Sequence, residues 1–274
     1  MAEIPNISQT TAMGSNNTQV GVLYNHEEHH HQGLSVADAT SMAFAMFREY
    51  YPLLRQEALD NLDQMVTEKL KNLPAECIVP PTARITVPTI QKASITEEAE
   101  IREIYANLLT NSMNSVVKNG VHPSFVEIIS QLSPDEAKVL RYMHPRQGIP
   151  TLGIKRVFND GGHSTIIKDF SNVPELANCE RPNDSEVYID NLVRLGLARR
   201  SVNEWYSDEA MYEPLISHQF IQSYWNRYAE NPQNLADFKK LEYVKGFCAL
   251  TAFGKNFCDI CLSTAIVAMA TIEE

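Results

Sequence analysis

The side chains capable of chemistry are scattered along the chain rather than grouped. Cys258 and Cys261 lie three apart in a segment of helical period and so share a face. A structural zinc needs two more ligands at fixed spacing, and no second Cys-x-x-Cys exists. A redox pair of this spacing sits at a strand-to-helix junction, not inside a helix, so both cysteines are expected as buried small hydrophobes. His122, His144, His163 and His218 fall in four different segments, and no nucleophile elbow accompanies them. Gly161-Gly162-His163 lacks the Lys-Ser/Thr that completes a phosphate loop. Arg199 and Arg200 form an adjacent basic pair able to hold one phosphate, though such a pair on a strand is usually just solvated. The run His26, Glu27, Glu28, His29, His30, His31 can take divalent ions only weakly and without fixed geometry. No catalytic, cofactor-binding or metal residue is assigned, and no cofactor is implied.

The elements that would hold these residues are mostly helical. Residues 1–34 are rich in Asn, Ser, Thr, Gln and His without any period, and read as a mobile tail. Ser35 caps a helical stretch reaching Leu73, with Ala43, Phe44, Phe47, Leu54, Leu59, Leu62, Met65, Val66 and Leu70 on the apolar face, and Pro52 should kink it or split it in two. Pro74, Pro80, Pro81 and Pro88 argue against helix, so ARITV and TIQKA are expected as extended connectors or a short edge strand. Ser94 with Glu97 has capping-box spacing before an amphipathic helix from Glu97 to Val117, whose apolar face is Ile101, Ile104, Tyr105, Leu108, Leu109 and Met113. Glu97, Glu98, Glu100 and Glu103 suit its positive N-terminus. Pro123 opens a short helix to Leu132. Ser133, Pro134 and Glu136 combine cap, proline and capping box before a helix ending near Met143.

Beyond that point, TLGIKRVF is expected as strand and STIIKDF as a short helix. A helix runs from Ser185 to Leu195, Gly196 ends it, and LARRSV follows as strand. Another helix covers Pro214 to Tyr228. EYV, the turn Lys245-Gly246 and FCALT then suggest a hairpin, before a final helix capped by Thr251 and ending near Ala270. The order of helix, glycine turn, strand, excursion, strand and helix is that of a winged helix. Its recognition helix would carry Glu186 and Asp190 against a single Arg194, a poor match to phosphates. The final helix is apolar nearly all round beyond Asp259, as a helix that is buried or seals an oligomer contact would be; Ile260, Ile266 and Met269 are candidate contacts to a partner, with membrane perturbation as an alternative.

Composition narrows the classes. The 274 residues are 44% apolar and 21% charged, with formal net charge −11 and pI about 5.2. Such a chain repels a phosphate backbone unless it concentrates its lysines and arginines on one patch. Five scattered cysteines, no apolar run of spanning length and no basic n-region place the expectation in the cytoplasm.

Three stretches resemble one family. "IREIYANLLTNSMN" (Ile101 to Asn114), "VHPSFVEIISQLSPDEAKVL" (Val121 to Leu140) and "LTAFGKNFCDICL" (Leu250 to Leu262) are similar to the abortive infection alpha (Abi-alpha) family of bacterial proteins, the middle stretch most specifically. The resemblance covers roughly residues 75–262. It implies a bacterial protein of phage resistance acting inside the cell, and it carries over no reaction and no catalytic residue. The expectation is thus a mostly α protein: tail 1–34, helical domain 35–132, and a winged-helix-like α+β domain 133–274 with insertions. It would work by contact with an unknown protein partner or as a homo-oligomer, with nucleic acid and membrane disfavoured. The alternatives are a winged-helix regulator that binds nucleic acid and a membrane-perturbing effector.

Overall fold

A computed structural model describes residues 35–50, 56–201, 204–229 and 238–263. Helices α1 (Val36–Tyr50) and α2 (Gln56–Leu70) lie on either side of Pro52, and the Ser35 hydroxyl accepts the Asp38 N–H at 3.1 Å, as the cap requires. They bury Ala39, Ala43 and Phe44, and Leu59, Leu62, Val66 and Leu70.

The proline-rich segment is not extended. Residues Ala83–Ile95 form α3 with Pro88 inside it. An internal proline forfeits one backbone hydrogen bond and costs about 3 kcal/mol. The buried stripe Ile85, Thr86, Thr89, Ile90 and Ala93 offsets this. The expected capping box is also displaced: Ser94 lies within α3, its hydroxyl donating to the Gln91 carbonyl, and Thr96 ends that helix. Helix α4 (Ala99–Ser112) follows, stopping short of Val117. Its stripe Ile101, Ile104, Tyr105, Leu108, Leu109 and Met113 is buried as expected. So are Asn107, Thr110, Asn111 and Ser112 on its other sides, because α4 is packed by α2, α3, α5 and α6 at once.

Helices α5 (Phe125–Ile129) and α6 (Pro134–Met143) come next, and the capping box at Ser133 is complete: the Glu136 N–H donates to the Ser133 hydroxyl, and the Ser133 N–H to the Glu136 carboxylate. Strands β1 (Ile149–Phe158) and β2 (His163–Phe170) then pair antiparallel around Gly161, whose φ is +88°. STIIKDF is therefore strand, not helix; its β-branched Thr165, Ile166 and Ile167 suit a pleated surface better than a helical turn. After the short α7 (Val173–Leu176), helix α8 (Ser185–Arg194) ends at Gly196, φ +73°, with the Leu197 N–H donating to the Leu192 carbonyl. Strand β3 (Ala198–Ser201) follows. The helix expected over Pro214 to Tyr228 is two helices, α9 (Glu213–Ile216) and α10 (Gln219–Ala229), because His218 Nδ1 accepts the Phe220 N–H and starts the second.

The expected hairpin at Lys245-Gly246 is absent: β4 (Phe238–Leu250) is one strand, and the sheet runs β2-β1-β4-β3, antiparallel throughout. Gly246 serves close approach instead of a turn, since a Cβ there would stand 2.5 Å from the Thr151 hydroxyl on β1. Thr251 caps α11 (Ala252–Phe257), which continues as a π turn over Cys258–Leu262, and Ser263 is extended. The apolar terminal helix expected to Ala270 is thus interrupted at Ser263, and Ile266 and Met269 lie outside the described residues. Among the described residues, no helix is long and apolar enough to cross a membrane.

Two cores result. The larger joins α1 through α6 to Ile149, α8, α11 and the π turn. The smaller lies between the sheet and α9–α10, around Leu152, Ile154, Ile167, Phe170, Tyr212, Leu215 and Ile221.

Candidate functional site

Strand β3 places Arg199 and Arg200 in different surroundings. Arg199 is exposed and pairs with Glu204 at 2.8 Å. Arg200 donates to Asp169 of β2 at 2.7 Å and to Asp190 of α8, so it joins three elements. Lys168 adds a longer contact to Asp190 at 3.6 Å. Asp169 is only 2% exposed, and its buried charge accounts for the placement of the guanidinium. The Arg200 guanidinium holds the Asp190 carboxyl below its ordinary range. A phosphate at Arg200 would compete with two carboxylates already in place, and one at Arg199 with Glu204.

The outer face of α8 carries Glu186, Asp190 and Arg194 around Val187, which is 61% exposed. Asp190 is paired with Arg200, and Arg194 bonds to Asn191 and Gln131, so this face presents an apolar side chain among polar and charged groups.

The three stretches that carry the family resemblance meet in space. Asn107 and Asn111 of α4 donate their side-chain amides to the carbonyls of Cys261, at 2.9 Å, and Ile260, at 2.7 Å. These are orphan acceptors at the end of a helical segment, satisfied from about 150 residues away along the chain. Phe125 packs on Phe253 and edge-on to Phe257, with ring centroids 5.3 and 5.2 Å apart. The Tyr105 hydroxyl donates to the Val126 carbonyl, and the Asn256 amide to Gly120. A Cβ at Gly254 would run into the Leu197 carbonyl, so glycine is required for α11 to reach the start of β3. Ile260, expected as a partner contact, is 4% exposed in this core, so its neighbours belong to the same chain.

Cys258 and Cys261 are fully buried, as small hydrophobes would be. Burial pushes the Cys258 thiol up to about 12 and Cys261 well above its ordinary value, so neither offers a thiolate near neutrality. The histidines stay apart: His122 bonds to Ser124, His144 to Asp259 and His218 to Glu175, while exposed His163 opens β2. Among the described residues, no cluster of His, Cys, Asp and Glu could hold a metal ion.

One buried polar centre was not legible beforehand. Asp135, 8% exposed, accepts the Tyr188 hydroxyl at 2.8 Å, the Lys138 ammonium at 3.0 Å, and the N–H groups of Glu180 and Arg181. Asn191 of α8 donates to Glu136 at 2.8 Å beside it. The Leu-Ser-Pro-Asp junction thus locks α6 onto α8, and what looked like helix capping also orients the candidate contact face. The signal was a carboxylate at the second helical position that the capping box itself did not need.

The sequence model described as abortive infection alpha matches residues 54–261. No curated protein matches the chain. Among solved structures, that of an uncharacterized protein from the hydrocarbon-degrading marine bacterium Alcanivorax borkumensis SK2 is similar, at 13% identity and a TM-score of 0.36, over 51% of this chain and 92% of that one.

Proposed function

Because this chain belongs to the abortive infection alpha family, we propose that it acts in phage resistance, in the cytoplasm, by protein contact through the outer face of α8. The single observation that carries the reading is Val187, 61% exposed on a helix held rigidly by Asp135 and Arg200. We read residues from α6 to β4 as a winged-helix-like module, supported by the order α6, β1, α8, β3, β4 and by β4 lying between β1 and β3. In that module α8 occupies the position of a recognition helix, but its acids and the engagement of Arg200 favour a protein partner or a second copy over duplex DNA.

The test is expression in a susceptible bacterium with plaque counts. The wild-type chain lowers phage yield, and Val187→Asp abolishes protection while soluble yield and circular dichroism stay unchanged, since the side chain is exposed. Pull-down with two differently tagged copies separates self-association from a foreign partner. Full protection by Val187→Asp would sink the α8 reading. Charge at Ile260 is no test, because burying it costs several kcal/mol and unfolds the core.

A further inference from the structure

An acidic chain meets a phosphate backbone only where its cations gather, and they gather far from Arg199 and Arg200 in sequence. Arg227 on α10, Lys155 and Arg156 on β1, and Lys239, Lys240 and Lys245 on β4 belong to three packed elements whose single acid is Glu242. Glu242 engages Lys155 at 2.8 Å and Lys240 at 2.5 Å, and Lys245 pairs with Glu209. Among the described residues, no carboxylate pairs with Arg156, Arg227 or Lys239. Arg227 and Lys239 are exposed and Arg156 is half-buried. Asp160, at the tip of the β1–β2 hairpin, holds the Gly162 N–H, and in sequence Glu230 follows α10 and Asp237 precedes β4, both outside the described residues.

Aromatic rings accompany these cations. The Arg156 guanidinium lies 5.3 Å from the Tyr228 ring and 5.7 Å from Phe158, and its Nε donates to Ser164. The Arg227 guanidinium lies 5.5 Å from the Tyr224 ring. Trp225 stacks on Tyr243 of β4, with centroids 4.2 Å apart. Tyr224, Trp225, Tyr228 and Tyr243 are all half-buried, so part of each remains open to solvent.

Cations that track a backbone, interleaved with rings that stack on bases, are what single-stranded nucleic acid needs. A duplex would need an element inserted in its groove, whereas α10 lies on the sheet with Ile221 buried beneath it. An acidic peptide would use the cations and leave the rings idle. We propose that the α10–β1–β4 end of the sheet binds single-stranded DNA or RNA, with phosphates at Arg156, Arg227 and Lys239 and bases against Tyr224, Trp225 and Tyr228. This site is independent of the α8 face, and neither outcome bears on the other.

The test uses the full chain with labelled oligo(dT) and oligo(U) of about 15 nucleotides, a length spanning the usual single-strand site sizes. Anisotropy and tryptophan quenching should report a complex whose log affinity falls against log salt with slope about −2, as three phosphate contacts on a single strand imply. Arg227→Glu with Lys239→Glu should weaken it at least tenfold with an unchanged far-UV spectrum, while Arg199→Glu leaves it intact. No salt-sensitive complex, equal loss in Arg199→Glu, or displacement by polyglutamate at matched charge would each overturn the proposal, the last in favour of an acidic protein partner.

Discussion

Asp135 shows how one carboxylate can organise a surface it never reaches. Burial alone would raise its pKa, but the Tyr188 hydroxyl, the Lys138 ammonium and the Glu180 and Arg181 N–H groups outweigh burial and lower it. A depressed folded-state pKa adds stability that is present above the unfolded value, about 3.9, and is lost as pH falls through the folded one. Asp135→Ala leaves those donors without an acceptor and should cost about 3 kcal/mol near neutrality. Urea unfolding should show that deficit shrinking as pH drops below about 4. A deficit independent of pH would mean that packing, not charge, is what was lost. Arg200 makes the complementary point about legibility. Its neighbour Arg199 suggested a phosphate site, but its partner Asp169 is 31 residues away and on another strand. Adjacency in sequence says nothing about such a pairing.

Local signals succeeded wherever the element needed nothing from outside itself. The capping box at Ser133 and the stop at Gly196 are both satisfied within a turn or two of the chain. They failed where tertiary packing overrode a local rule. Gly246 resembles a turn residue but is needed for contact with Thr151, and Pro88 resembles a helix breaker but sits in a helix whose other face is buried. This second case can be measured. Pro88→Ala restores an N–H to the interior of α3 and removes the ring clash, while giving back the proline's restriction of the unfolded chain, worth about 0.4–1 kcal/mol. The net expectation is a stabilisation of about 2 kcal/mol in the unfolding free energy. An extended segment at 83–95 would gain nothing from the change, so an unchanged or lowered midpoint would contradict the helix.

At the scale of the molecule, the larger core runs from Ala39 to Cys261 and so draws on residues either side of 132, the expected domain boundary. Helix α4 is its centre: Asn107 and Asn111 hold the π turn, and Tyr105 holds α5. A fragment of residues 35–132 would leave those amides and the surrounding apolar faces without partners, and is expected not to melt cooperatively. The smaller core is coupled to the larger through β1, which gives Ile149 to one and Leu152 and Ile154 to the other. A strand cannot leave one core without disturbing the second, so the two should unfold together. Two probes separate them: far-UV circular dichroism follows mainly the helices of the larger core, and Trp225, packed against the smaller, dominates the change in fluorescence because Trp205 is 57% exposed. Their midpoints in urea should coincide. A fluorescence transition at lower urea, with the helical signal intact, would mean that the sheet and α10 form a separable unit and that β1 does not transmit stability between the cores.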